Sequence, residues 1–210
     1  MILTCAVDAE EDRDVALIDI PNAFIQPRVE NEEDMVTIRV RGILVDILLG
    51  ISPKVYGPYV IIDKKGNQSL ILTCMNVIYG TMVASLLYYK KFCKSLIAYG
   101  FKLNPYDPCV ANRMVNWRQQ TVFYHVDDCK ISHVDTKAND DLIKIIKEEY
   151  KRIFEDGSGK MTLNQGKVHK YLGMTLDYTT KGLCKVTMFE YIEEVIKTFD
   201  KMDHSDLYLS

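Results

Sequence analysis

The chain has 210 residues, 48% of them apolar, and a formal net charge of −3. That apolar content builds the core of one large domain or two small ones and excludes a disordered chain. The six cysteines (positions 5, 74, 93, 109, 129 and 184) contain no C-x-x-C pair, which excludes a zinc ribbon or thioredoxin motif and points to free thiols in a reducing compartment.

No apolar run reaches the roughly 18 residues of a membrane span. The best, residues 42–51, is interrupted by Asp46. The first seven residues lack the basic flank of a secretory signal. An intracellular, non-membrane protein is expected.

Charge is unevenly placed. Residues 1–34 hold ten acids and two bases, a net −8, which leaves +5 for the remainder. Residues 35–105 carry nine bases against Asp46 and Asp63. An acidic total argues against nucleic-acid binding by the whole surface. The asymmetry suits a phosphate-facing region beside a separate acidic pocket. Ordinary solvated charge is the plainer alternative.

In chain order, residues 15–20 are short and β-branched and stop at Pro21, which predicts a strand ending near Asp19. Residues 52–70 are rich in Pro, Gly and Asn, hence loops with one hairpin, 59–62 against 69–72. From Met82 the apolar positions 82, 86, 89, 93 and 96/97 have helical spacing, and Gly100 suits a C-terminal cap. Lys90 and Lys94 share one face of that helix. Residues 104–108 make a turn.

Residues 121–134 read as a hairpin. With Asp127-Asp128 as its two-residue turn, Val126 faces Cys129, Tyr124 faces Ile131 and Val122 faces His133. Two acids at a tight tip repel each other, so a cation is the expected compensation. Asp135-Thr136 then caps a helix with Ile143, Ile146, Tyr150 and Ile153 on one face before Gly157. Strands are expected over 170–178 and 183–188, and Tyr191, Ile192, Val195, Ile196 and Phe199 begin a last helix.

Strand, helix, strand, strand, helix, strand is the split βαβ order of an α+β fold, an antiparallel sheet with two helices on one face. It lays the first strand beside the central hairpin, so that Asp19 faces Asp127 and Asp128. Mg²⁺ prefers oxygen ligands and uses one or two carboxylates plus substrate phosphates. Paired ions of this kind stabilise an in-line phosphoryl displacement. The plainer alternative is a strand-end Asp19 and a solvated 127–128 tip. A transition-metal site from His125, His133 and Asp127 is disfavoured, because His133 lies far along the strand from the tip.

The segment Asp19-Ile-Pro-Asn-Ala-Phe24 resembles the first catalytic motif of reverse transcriptases, and His125-Val-Asp-Asp128 resembles their Y-V-D-D box. Val77-Ile-Tyr-Gly80 followed by Leu86-Leu-Tyr-Tyr89 is similar to the "ALYG…W/Y" block of copia-type retrotransposon enzymes. Residues 100–109 are similar to their "GF…DPC" segment, and Lys170-Tyr-Leu-Gly173 to their "YFLG" primer-grip block. The five blocks stand in family order between about residues 3 and 202.

The resemblance implies a reverse-transcriptase palm with partial fingers over 1–190 and a thumb start or C-terminal helix over 191–210. It implies two Mg²⁺ (or Mn²⁺) held by Asp19, Asp127 and Asp128, with Asp19 and Asp127 the more direct ligands. Phe24 would exclude a 2′-OH by bulk. Tyr79 and Gly80 would line the nucleotide and template, and His125, Leu172 and Gly173 the primer end. Lys90, Lys91 and Lys94 would meet backbone phosphates. Implied partners are an RNA or DNA template with a DNA primer, dNTPs and other parts of a retroelement polyprotein, in a cytoplasmic particle or the nucleus.

The plainer assignments are a core aromatic for Phe24, a turn for 79–80, a hairpin strand for 172–173 and a solvated helix face for the lysines. Against the family pattern, His125 replaces a Tyr, Asn22 stands where a small or acidic residue is usual, and residues 82–86 lack the usual basic and amide groups. Met1 lies eighteen residues before Asp19, so the family's basic first fingers segment is expected to be absent. An inactive remnant that folds and binds nucleic acid, and a two-metal nuclease, are the alternatives.

Overall fold

The structure, a computed structural model, describes residues 1–25, 27–29, 31, 35–78, 80–151 and 159–199. In chain order the elements are α1 (Ile2–Glu10), β1 (Asp14–Asp19), β2 (Thr37–Arg41), α2 (Ile43–Ile51), α3 (Pro53–Tyr56), β3 (Val60–Ile62), β4 (Gln68–Thr73) and α4 (Met82–Ala98). Then come β5 (Lys102–Leu103), β6 (Val110–Val115), β7 (Arg118–His125), β8 (Asp128–His133), α5 (Thr136–Glu149), β9 (Thr162–Gly166), β10 (Val168–Tyr171), β11 (Met174–Asp177), β12 (Lys185–Thr187) and α6 (Phe189–Phe199).

The chain divides into two compact units. One is Met1–Pro21 with the chain from Ser95 onward; the other is Asn22–Lys94. The fold is α+β, with antiparallel sheets.

The first unit is built on a six-stranded sheet ordered β5-β6-β7-β8-β1-β9. β1 is central because Val15, Ala16, Leu17 and Ile18 are all buried, so neither face meets water. It pairs antiparallel with β8 on one side and β9 on the other. β9 (TLNQG) has no apolar alternation and is exposed throughout, which is why its sequence does not announce a strand. Its pairing partner defines it.

Side chains on successive strand residues point to opposite faces. Ala16, Ile18, Val122, Cys129 and Ile131 occupy one face, and α5 packs against β1 and β8 there. α5 starts where Asp135 accepts a hydrogen bond from the Lys137 amide, the expected N-cap. It is locked to the sheet by Gln120, which donates to the Ala138 carbonyl at 2.9 Å, and by Asn139, which donates to the Asp14 carbonyl at 2.9 Å.

The other face carries Val15, Leu17 and Phe123. These cluster with Cys5 and Ala9 of α1 and with Tyr171, Leu176 and Tyr178 of a small sheet ordered β10-β11-β12. The expectation of helices on one face only is therefore corrected, because α1 and the small sheet cover the second face. That layer includes a buried ion pair. Asp8 of α1 accepts from Lys130 of β8 and lies 3.8 Å from Arg13, all three side chains being at most 1% exposed. A paired carboxylate and ammonium are what allow a Lys in a central strand.

The expected strand over 170–178 is two strands. Tyr171 pairs with Met174, and Leu172 and Gly173 form the turn between them, with φ of 50° and 75°. Both residues are left-handed, a conformation glycine adopts freely and leucine rarely, so only half of that turn was visible in residue types.

The second unit holds a three-stranded sheet ordered β2-β4-β3. The anticipated 59–62 and 69–72 hairpin is present, with Val60 opposite Leu70. Val29, Val77 and Ala84 form a small core with Phe24, Met35 and Leu87 packed against it. The apolar run 42–51 becomes the nine-residue helix α2. Among the described residues no helix is long and apolar enough to cross a membrane.

Candidate functional site

β1 and β8 run side by side over six residue pairs, and the last pair is Asp19 opposite Asp128. The contact continues one step further, where the Ile20 amide donates to the Asp127 carbonyl at 3.1 Å. Residues more than a hundred positions apart are thus direct cross-strand neighbours.

The hairpin tip differs from expectation by one residue. His125 pairs with Asp128, Tyr124 with Cys129 and Val122 with Ile131, so the two turn residues are Val126 and Asp127. The apolar face is unchanged, because the partners shift by two positions. Pairing with β1 draws Asp128 into the ladder, and only one acid is left in the turn. The consequence is a β-branched residue at φ 59°, Val126, where glycine would be at ease.

Cross-strand partners share a face, so His125, Asp128, Asp19 and Thr162 form one row across four strands. Asp19, Asp127 and Asp128 are half-buried, and none has an ion-pair partner among the described residues. Burial, and next the charge of Asp127, raise the Asp19 carboxyl above the usual carboxylate range. Burial raises Asp128 too, followed by the charges of Asp127 and Asp19, while His125 opposes them. The Cys129 thiol beneath is pushed up by burial and then by the three acids.

Lys130, two residues along β8 on the same face as Asp128, is committed to Asp8. The arrangement is a cluster of negative charge with no Lys or Arg ion-pair partner among the described residues. No group of three or more His, Cys, Asp or Glu among the described residues is already close enough to hold a metal ion. The carboxylates are neighbours rather than a finished cage.

The remaining expected residues fall in three places. His125 is exposed at the end of β7, beside the tip. His133 pairs with Asp14 at the opposite end of β8, which removes it from any site at the tip. Leu172 and Gly173 occupy the β10–β11 turn, and a Cβ on Gly173 would lie 3.2 Å from the ring of Tyr191 at the start of α6. A second link joins this region to the acids: Tyr171 donates its hydroxyl to the Asp128 carbonyl at 3.1 Å.

Phe24, Gly80, Lys90, Lys91 and Lys94 belong to the second unit. Phe24 sits in a 3-10 turn, Ala23–Ile25, half-buried and edge-on to Tyr88 at 6.1 Å between centroids. Tyr88 stacks in turn on Phe92. This is core-type packing for Phe24. Gly80 has φ 87° just before α4, and Lys90 and Lys94 share an exposed face of that helix. Tyr79 lies outside the described residues.

Tyr191 is read from the sequence only as a position on the last helix, and Tyr171 has no role of its own there. Tyr171 lay inside the Lys170–Gly173 block, but only the three-dimensional pairing shows that its hydroxyl reaches Asp128.

No protein-family model and no curated protein matches the chain. Among solved structures it is similar to apo telomerase from Candida tropicalis, with a TM-score of 0.44 and 11% identity over 88% of this chain and 35% of that one. It is also similar to telomerase from Candida albicans in complex with a TWJ fragment of telomeric RNA, with a TM-score of 0.43 and 13% identity over 94% of this chain and 38% of that one. The chain spans a little over a third of the length of these telomerase chains.

Proposed function

We propose that this chain is the palm-containing part of a copia-type reverse transcriptase and transfers deoxynucleotides to a primer 3′-OH. The observation that carries the reading is the cross-strand pairing of Asp19 with Asp128, which brings together three carboxylates from two distant segments. The neighbouring strands β7-β8-β1-β9 support it, although β9 (Thr162–Gly166) stands where the strand over 170–178 was expected to complete the split βαβ pattern.

The donor set fits Mg²⁺. That ion takes one or two carboxylates and completes its shell with waters and substrate phosphates, so a preassembled three-residue cage is not required. Asp19 and Asp127 would hold it most directly, with Asp128 adding charge. Bound there, the metal would neutralise charge on the transferring phosphate and favour ionisation of the attacking hydroxyl. The chain's own contribution is positioning. The β1–β8 ladder holds two of the acids in register, and burial keeps their charge poorly solvated until a cation arrives.

By resemblance, His125 and the Leu172–Gly173 turn would meet the primer end, and Phe24, Tyr79 and Gly80 the incoming nucleotide and template. Lys90, Lys91 and Lys94 would meet backbone phosphates. An RNA or DNA template, a DNA primer, dNTPs and other retroelement polypeptides are the partners this reading names.

A second reading, a folded remnant that binds nucleic acid without polymerising, is favoured by residues 82–86, where basic and amide groups usual in the family are replaced by Met-Val-Ala-Ser-Leu.

Primer extension by the purified chain separates the two. The polymerase reading expects templated, Mg²⁺-dependent extension that disappears in Asp127→Asn. Salt-sensitive binding with no incorporation at high Mg²⁺ would support the remnant, and cleavage without extension a nuclease.

A further inference from the structure

Tyr171 is the last residue of β10 and is 3% exposed. Its ring meets Phe123 of β7 edge-on, with centroids 6.1 Å apart and planes at 71°. Its hydroxyl donates to the Asp128 carbonyl. The two residues that follow it, Leu172 and Gly173, are the turn between β10 and β11.

One side chain therefore joins two sheets at a chosen spot. On the small sheet it sits against the 172–173 turn. On the large sheet it grips the backbone of the residue paired with both His125 and Asp19. A hydroxyl bonded to that carbonyl restricts the peptide plane after Asp128, and with it the direction of the Asp128 carboxylate one residue bond away. A buried phenol needs an acceptor, and this one takes it from the tip rather than from its own sheet.

We infer that Tyr171 is a positioning residue, clamping the 126–129 tip so that the carboxylates keep their places opposite Asp19 and in fixed relation to the 172–173 turn. Its effect on catalysis rests on the nucleotidyl-transfer reading; its effect on the tip does not.

The test uses the full chain and Tyr171→Phe, which keeps the ring and removes only the hydroxyl. Tyr178→Phe serves as comparator, because Tyr178 belongs to the same buried cluster but its hydroxyl makes no hydrogen bond to the tip among the described residues. Amide hydrogen exchange is read at residues 127–129. The clamp predicts exchange there at least tenfold faster in Tyr171→Phe, with α5 unchanged and Tyr178→Phe matching the wild type at the tip. In primer extension it predicts about a tenfold loss in kcat with KM for dNTP within twofold, since the lost bond aims a carboxylate and does not touch the nucleotide. Tip exchange within twofold of wild type, or equal acceleration by Tyr178→Phe, would overturn the clamp. A wild-type chain that extends no primer would overturn the polymerase reading, and the exchange comparison would still decide for or against the clamp.

Discussion

Asp19 and Asp128 face each other directly across the β1–β8 ladder, and the backbone of Asp127 accepts from the next residue, Ile20. Like charges directly opposite on a sheet are destabilising. A fold that holds three acids this way, with no ion-pair partner among the described residues, gives up stability at one point.

That cost has a definite pH dependence. The carboxyls of Asp19 and Asp128 are raised in the folded state, chiefly by burial. Their contribution to stability is present in full below the unfolded carboxylate value, about 4. It is lost as pH rises through the raised folded values. At pH 7 Asp128→Asn should therefore raise the thermal midpoint of the metal-free protein, by roughly 1–3 °C after allowing for solvent screening. The gap between variant and wild type should shrink as pH is lowered toward 4. Thermal scans across pH 4–8 read both effects.

The turn at Val126 makes a second expectation. A β-branched residue at φ 59° is strained by on the order of 1–2 kcal/mol, while glycine loses part of that gain to unfolded-state entropy. Val126→Gly should stabilise the fold by about 0.5–1 kcal/mol in denaturant titration. A loss of stability would mean that Val126 makes packing contacts worth more than its strain.

The buried pair of Asp8 and Lys130 behaves differently from a surface ion pair. Lys130→Met leaves Asp8 with only the more distant Arg13, and should cost about 3–5 kcal/mol. Replacing both partners, Asp8→Leu with Lys130→Met, should recover part of that loss. Urea unfolding of the two single variants and the double variant measures it as a cycle.

Gly173 is constrained twice over. Its φ is 75°, and a Cβ would meet the Tyr191 ring at 3.2 Å. Gly173→Ala should destabilise by about 1–2 kcal/mol. Adding Tyr191→Ala should remove the steric share and leave the backbone share, which a thermal or denaturant midpoint for each variant reads.

Much of this arrangement was legible in residue order. The β-branched run before Pro21, the helical spacing from Met82, the Asp135 cap and the apolar alternation around the tip each announced an element that formed. Each rests on local chemistry. What stayed hidden depends on partners far away in sequence. β9 has no pattern of its own, and α1 opens without a side-chain cap. Asp8 and Lys130 look like solvated charges until they are buried together. The tip register also escaped: Asp127-Asp128 was expected in the turn even though adjacent acids there repel each other, and the ladder with β1 takes in Asp128 instead. Leu172 and Val126 are left-handed against their residue type, which no propensity foretells.

On the proposed reading, segments more than a hundred residues apart share one cation. Mn²⁺, which can stand in for Mg²⁺ and is counted directly by electron paramagnetic resonance, tests it most directly. Asp19→Asn and Asp127→Asn should each weaken Mn²⁺ binding at least tenfold. Equal, wild-type affinity in Asp19→Asn would contradict a shared site at the tip.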